Sequence, residues 1–435
     1  MTPAHHLLPR RVLDELAAGR GSADAISRLR SAQHSKTLLL VRALMLLLRE
    51  AGHPDLTAVE AAYDVLARTR PQVRAAALGH PPVAAWAFGT ASLLRRGGHP
   101  ATYPGLLAAV AVVAAVGSGI DADLDVPLSP GAPGRLDLPG LGTVVVPADA
   151  TRARVRCVGG RVQVRCAGER VDIGDVRSAG RRWLPAPRME LRHRGLPLSL
   201  LVDTPGWQHV PGIRADGPGT DHRWRHRLDG AWRILVDSHR PVAEEVSVAL
   251  RVLMPIAAPR TGARSGTFHH AFGSVAMSIP PDSRSGAATL AHEIQHLKLA
   301  ALTDMFTLVE PGPAELFYAP WRTDPRPLEG LLHGTYAHLG VARFWRQQAQ
   351  AAGSRAQRHH AEVEAARWTG AVGDSLLVLG AQRRLTPVGR HLVDGMAQVL
   401  RRWALEPTTT DAAAEAARLL TAHRARWDRQ QAPTG

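Results

Sequence analysis

From the first residue to about position 117, apolar side chains recur every three or four positions, the spacing that lines one face of a helix. The stretch RRVLDELAAG closes on glycine, SADAISRLRSAQHSKTLLLVRALMLLLREAG is long and periodic, and DLTAVEAAYDVLARTR opens on an acidic cap. TYPGLLAAVAVVAAVG is apolar on every side and predicts a buried helix; its apolar run, Leu106 to Val116, is too short to cross a bilayer. From about 126 to 240 the period changes to two, in short runs broken by Gly and Pro such as GTVVVPA, RVRCVGGRVQVRC, LPLSLLVD and AWRILVD. The acidic DADLD just before them has Val126 where a calcium loop needs glycine, and is expected to be a solvated linker. Helical spacing returns with PVAEEVSVALRVLMPIA, yields once to the strand-like FGSVAMSIP, and runs to the C-terminus, with helix starts at Thr386-Pro387 and TTTDAAAEAARLL. The pattern predicts an α+β protein: a helical region over 1–120, a β-rich middle over 121–240, and a mainly helical, metal-binding catalytic region over 241–435.

Length and composition agree with that picture, since 435 residues at 45% hydrophobic can bury a substantial core. The formal charge of +15 changes it little: Lys36 and Lys298 are the only lysines, and the arginines are scattered along helices and strands. Only DHRWRHR interleaves basic and aromatic residues, so a nucleic-acid partner is not expected. The opening residues lack the apolar core and cleavage site of a secretory signal, and the expected location is the cytoplasm, without a membrane. Of the two cysteines, Cys157 falls opposite Val162 in a hairpin turning on Gly159-Gly160, so the pair reads as small core residues rather than a disulfide or thiolate site.

The sharpest chemical signal is AHEIQHLKLAALTD, a His-Glu-x-x-His inside a helical pattern. His292 and His296 stand one turn apart, so both imidazoles can reach one ion, with Glu293 beside them. Leu290, Ile294, Leu297, Ala301, Met305 and Leu308 form one stripe and the histidines lie on the other side, next to Leu299, Thr303 and Phe306. The pentapeptide by itself suggests a zinc peptidase in which Glu293 is the base for a metal-bound water.

The third ligand separates reaction classes. The extended His-x-x-Gly-x-x-His of one peptidase group is absent, because Leu299 and Leu302 occupy the places of its Gly and last His. Glu310, Glu315 and Glu329 are available carboxylates without a distinctive local pattern. The other candidates lie in PWRTDPRPLEGLLHGTYAHLGVARFW, where Glu329 and His333 are four apart if the segment after Pro327 is helical, while His338 is expected to face elsewhere. Gly330 and Gly334 would let another backbone approach His333, and Arg322 and Arg326 in the same loop suit bidentate capture of a carboxylate.

These stretches, with HHLLPRRVLDELAAGRGSADAISRLRSAQHSKTLLLVRAL and GSVAMS, resemble the actinobacterial HExxH-motif proteins encoded beside ribosomal-peptide maturation systems. The resemblance covers most of the chain, the central β region least. It implies an iron(II)- and 2-oxoglutarate-dependent hydroxylase acting on the β-carbon of a residue in a ribosomally synthesised precursor peptide, with other maturation enzymes as further partners. By resemblance, His292 and His296 would be iron ligands, His333 the third, and Arg322 or Arg326 the anchor for 2-oxoglutarate. Most non-haem iron oxygenases use two histidines and a carboxylate, so Glu329 or another acid would replace His333 if that rule held. GSVAMS would hold the peptide by adding it to a sheet edge.

Overall fold

The computed structural model describes residues 6–97, 103–129, 131–203, 222–260, 262–405 and 409–431. The helices α1 (Arg10–Ala17), α2 (Ala23–Glu50), α3 (Leu56–Arg68), α4 (Pro71–Leu78), α5 (Pro81–Arg95) and α6 (Leu106–Ser118) come first. Strands follow: β1 (Ala122–Pro127), β2 (Arg135–Leu138), β3 (Gly142–Val145), β4 (Arg152–Val158), β5 (Arg161–Cys166), β6 (Glu169–Ile173), β7 (Trp183–Pro185), β8 (Arg188–His193) and β9 (Leu196–Val202). Then α7 (His222–Ser238) and α8 (Arg240–Ala249) lead to β10 (Val252–Pro255), β11 (Ser265–Gly266), β12 (Ser274–Met277) and the histidine-bearing helix α9 (Ser283–Thr303). The short β13 (Leu316–Phe317) and β14 (Arg326–Pro327) precede α10 (Leu328–Ala351), α11 (Arg355–Gly380), α12 (Pro387–Trp403) and α13 (Thr410–Gln431). The protein is α+β, helical at both ends around a β-rich middle, and no helix among the described residues is long and apolar enough to cross a membrane.

Helix starts follow the expected chemistry where a side chain can reach a free N–H: Ser22, Asp282, Ser354 and Thr386 each accept from the backbone three residues on. Asp55 departs from this, since its carboxylate pairs with Arg152 at 3.3 Å instead of capping α3. Three other segments differ from their sequence patterns. AWRILVD lies in α7, because Trp224, Leu228, Ala231, Trp232 and Leu235 form a buried helical stripe longer than the apparent alternation. The basic residues of DHRWRHR thus flank a tryptophan that belongs to the core, Trp224, only 3% exposed. RVLMP leaves the helix to become β10, whose Leu253 enters the main core while Val252 and Met254 pack on the opposite face, so a parallel strand covered on both sides reads as a continuous apolar run. DADLD is not a linker but strand β1, its Asp123 and Asp125 bridging across to Arg154 and Arg152 on β4 at 2.6 and 2.7 Å.

The half that carries the histidine helix is organised on a five-stranded mixed sheet in the order β11-β12-β10-β9-β8. GSVAMS forms β12, an inner strand with β10 parallel on one side and β11 antiparallel on the other, so it has no free edge for a peptide. Buried residues form two large clusters. One unites α1, the start of α2, β8, β9 and α7 to α12; the other unites the rest of α2 with α3 to α6 and β1 to β7. Cys157 faces Val162 across the β4–β5 hairpin, and both cysteines are buried and free.

The short first helix is held against α9 and α10 by its C-terminal carbonyls. Gly19 O accepts from Gln295 Nε2 at 3.1 Å, Lys298 Nζ at 3.3 Å and Arg343 at 2.7 Å; Ala18 O accepts from Arg343 at 2.6 Å, and Leu16 O from the Tyr336 hydroxyl at 2.7 Å. Cations at this end also meet the negative pole of the helix. Lys298, wholly buried, pairs at 2.6 Å with Glu245 of α8, which is 3% exposed. Burial pulls the Lys298 ammonium down, and the carboxylate opposes that pull. Removing one partner leaves a buried charge, so Lys298→Ala is expected to lower the unfolding free energy by about 3–5 kcal/mol in urea titration, while Lys298→Met with Glu245→Leu recovers most of it.

Candidate metal centre

Helix α9 begins at Asp282, whose carboxylate accepts from Ser285 N at 2.8 Å, and packs against α7 and α10. Its buried stripe runs through Leu290, Ile294, Leu297 and Ala301, as the spacing predicts, but the helix ends at Thr303, so Met305 and Leu308 lie beyond it. On the other side, His292 Nε2 and His296 Nε2 are 3.1 Å apart. Two imidazoles at about 2.1 Å from one ion, with ligand angles near 90–110°, hold their nitrogens about 3.0–3.4 Å apart, so this pair has ligand spacing. Burial drives His292 down to about 3, with His338 adding to it, and burial, His292 and His333 hold His296 well below its ordinary value. Both rings are therefore neutral at pH 7, the form that donates a lone pair to a metal.

Glu293, 1% exposed, turns away from the histidine pair toward β11. Its Oε1 accepts from the Ser265 hydroxyl at 2.7 Å, and Oε2 is buried without a hydrogen-bond partner among the described residues. Burial lifts the carboxyl to about 7, against the pull of the Ser265 and Thr267 hydroxyls. A group poised there can hold or give a proton near neutrality.

Helix α10 brings two more histidines to the pair. His333 lies nearly parallel to His296 with ring centres 6.4 Å apart, and burial, then His269 and Arg326, push it down to about 4. His338 does not face elsewhere: it meets His292 edge-on at 4.9 Å. The reason is a tight crossing of α9 and α10, for a Cβ on Gly340 would come within 2.9 Å of the Ala291 carbonyl. His338 is stacked on Trp321 at 4.5 Å and leans on Trp368 at 4.7 Å. Its Nδ1–H donates to Gly334 O at 2.8 Å, which leaves Nε2 unprotonated. The other two glycines differ from expectation, since side chains rather than backbone approach them: Arg326 lies against Gly330 and Trp321 against Gly334.

Among the described residues, neither His333 nor His338 forms a three-donor set with the histidine pair in which all ligand atoms lie within 4.8 Å of one another. The set that does is His269, His270 and Asp304. There the Lys36 ammonium sits 2.8 Å from His270 Nδ1 and 2.7 Å from Asp304 Oδ2, with Gln33 donating to the same oxygen at 2.8 Å, so a cation already engages two of the three donors. We read this group as an internal ion pair tying α2 to the end of α9.

The carboxylate alternatives are not brought to the histidines: Glu310, Glu315 and Glu329 are exposed, and Glu329 pairs with Arg384 at 3.2 Å. Arg322 binds Asp324 at 2.8 Å, half exposed, whereas the Arg326 guanidinium lies against Gly330 of α10 and contacts Asp324 at 3.6 Å. A carboxylate ligand captured by either arginine would displace Asp324. The sequence gives no signal for Ser265, whose bond to Glu293 spans the fold, or for the indoles around His338.

The chain matches no protein-family model and no curated protein.

Two outcomes follow from this geometry. In equilibrium dialysis against a divalent metal, His292→Ala and His296→Ala are each expected to abolish stoichiometric binding. His333→Ala is expected to do the same and His338→Ala to retain it, because among the described residues no hydrogen bond fixes the His333 ring while His338 is locked between two indoles and a carbonyl. Retention in His333→Ala with loss in His338→Ala would reverse the assignment. Separately, burial works against ionisation of Asp304, but hydrogen bonds from His269, Lys36 and Gln33 hold it down at about 2. Its pKa is below the unfolded value near 3.9, so its contribution is complete above about pH 5 and is lost as pH falls toward 2. The stability difference between the natural chain and Asp304→Asn, about 1–2 kcal/mol after solvent screening, is expected to shrink across that window in denaturant titrations.

Proposed function

We propose that this chain is an iron(II)- and 2-oxoglutarate-dependent hydroxylase that acts on the β-carbon of a residue in a ribosomally synthesised precursor peptide, in the cytoplasm and beside other maturation enzymes. The observation that carries the metal half of this reading is the His292–His296 nitrogen spacing of 3.1 Å on neutral rings. The resemblance of the motif-bearing stretches to peptide β-hydroxylases carries the reaction half.

Iron(II) with 2-oxoglutarate, when bound, supplies oxygen activation and hydrogen abstraction at the peptide carbon. The chain's own residues would supply the rest. His292 and His296 would hold the metal, with His333 as the third donor, an all-imidazole set that the exposure of the three glutamates favours over a carboxylate. Arg326, whose guanidinium lies against Gly330 on the helix of His333, is better placed than Arg322 to pair the distal carboxylate of the cosubstrate. Trp321, Trp368 and His338 would wall the site against water.

One observation favours a second reading, a zinc metallopeptidase: Glu293 has an unpartnered buried oxygen and a carboxyl near 7, suited to a general base. Its Ser265 bond favours a positioning task instead, since Oε1 is turned to β11.

Anaerobic loading with iron(II), then addition of 2-oxoglutarate, oxygen and the precursor peptide, is expected to add one oxygen atom to the peptide by intact mass and to release succinate. His292→Ala should lose more activity than the roughly 10–100-fold that follows loss of a group merely supporting a metal ligand. Peptide cleavage that needs zinc and no cosubstrate would overturn the proposal in favour of hydrolysis.

A further inference from the structure

Between the two large cores runs a cleft of about 1730 Å³ that contains none of the histidines of the metal centre. Small ligands occupy sites of about 300–1,000 Å³, so this cleft is scaled for a longer occupant. Its floor is aliphatic, with Val73, Val113, Val116, Leu141 and Leu201, and Phe272 is the one Phe, Tyr or Trp among its lining residues. Its charge comes from Arg30 on α2, Arg177, Arg188 on β8, and Arg251 before β10. Arg251 donates to the Ser247 and Leu250 carbonyls at 3.0 and 2.9 Å, and Arg188 to Gly140 O at 3.5 Å. Among the described residues none of the four guanidiniums is paired with a carboxylate, and the cleft's Glu190 is engaged by the Ser199 hydroxyl at 2.6 Å. The cleft walls and the neighbouring Arg30 both push Arg251 below its ordinary value, which marks two like charges held close together. His34 Nδ1, buried and without a partner, lies in the same lining.

We propose that this cleft binds an extended, acidic polypeptide segment whose carboxylates pair with Arg30, Arg177, Arg188 and Arg251 while aliphatic side chains cover the valine and leucine floor. Guanidiniums pair carboxylates bidentately, and single-stranded nucleic acid would call for stacking aromatics that this floor lacks. Gln33 lines the cleft and also bonds Asp304 at the end of α9, so a chain lying here ends close to the metal helix. The inference adds to the proposed peptide chemistry and does not depend on it.

The test uses the full chain and fluorescein-labelled synthetic peptides of about a dozen residues, rich in Glu, Val and Ala, read by fluorescence anisotropy. Binding that weakens with added salt is expected. Arg30→Ala with Arg188→Ala, both exposed positions, should weaken it at least tenfold at unchanged thermal stability, and peptides with Lys in place of Glu should not bind. His292→Ala with His296→Ala should leave the affinity unchanged, so this result is independent of whether hydroxylation is found. The inference is overturned if no acidic peptide binds, if the arginine pair has no effect, if loss of the histidines abolishes binding, or if a single-stranded oligonucleotide of equal charge binds more tightly through the same arginines.

Discussion

The fold of the half that carries the histidine helix hangs on three backbone carbonyls. Leu16, Ala18 and Gly19 end a helix of only eight residues, too short to be stable in isolation. What holds it is a set of donors on α9 and α10, with a buried lysine whose charge is matched from α8. Because Gln295 and Lys298 lie on the same helix as the histidines, the contact that seats α1 also fixes the rotation of α9 about its axis. The histidines then point to α10 and Glu293 to β11. An ion pair in this position gives little net stability compared with an apolar one, and its value is in specifying a single arrangement of four helices.

The chemistry of the centre follows from the same exclusion of water. Burial lowers the histidines and raises the glutamate, in each case by disfavouring the charged form. A cluster of four imidazoles is tolerable only because they are neutral. That condition also suits them to take up a cation, which restores the charge that the fold has removed. The aromatic walls around His338 make the region stiff on one side, while His333 and Arg326 stand where α10 meets the β14 turn, closer to solvent.

Much of this was legible in the chain. The helix of His292 and His296, the cysteine hairpin and the buried α6 all follow from local spacing, because each is decided by which face meets a core. What local spacing does not carry is the partner of that face. AWRILVD alternates over seven residues yet belongs to a seventeen-residue helical stripe, and DADLD looks solvated because its arginine partners are some thirty residues away. Five residues turn His338 about 140° around the helix from His333, so spacing alone points it elsewhere, and only the close crossing at Gly340 brings both to α9. Ser265 was invisible for the same reason: a hydroxyl that finds its carboxylate across a sheet edge has no sequence signature.

The docking of α1 also bears on how the protein is made. Some 320 residues separate Leu16 from the hydroxyl that binds its carbonyl. At roughly 5–20 residues per second, the first helix waits about 15–65 s at the ribosome before the side chains that receive it exist. For most of that interval its apolar face, with Val12 and Leu16, has no native surface from α9, α10 or α12 to meet. Completion of α10 and α12 is thus the event that closes the chain on α1.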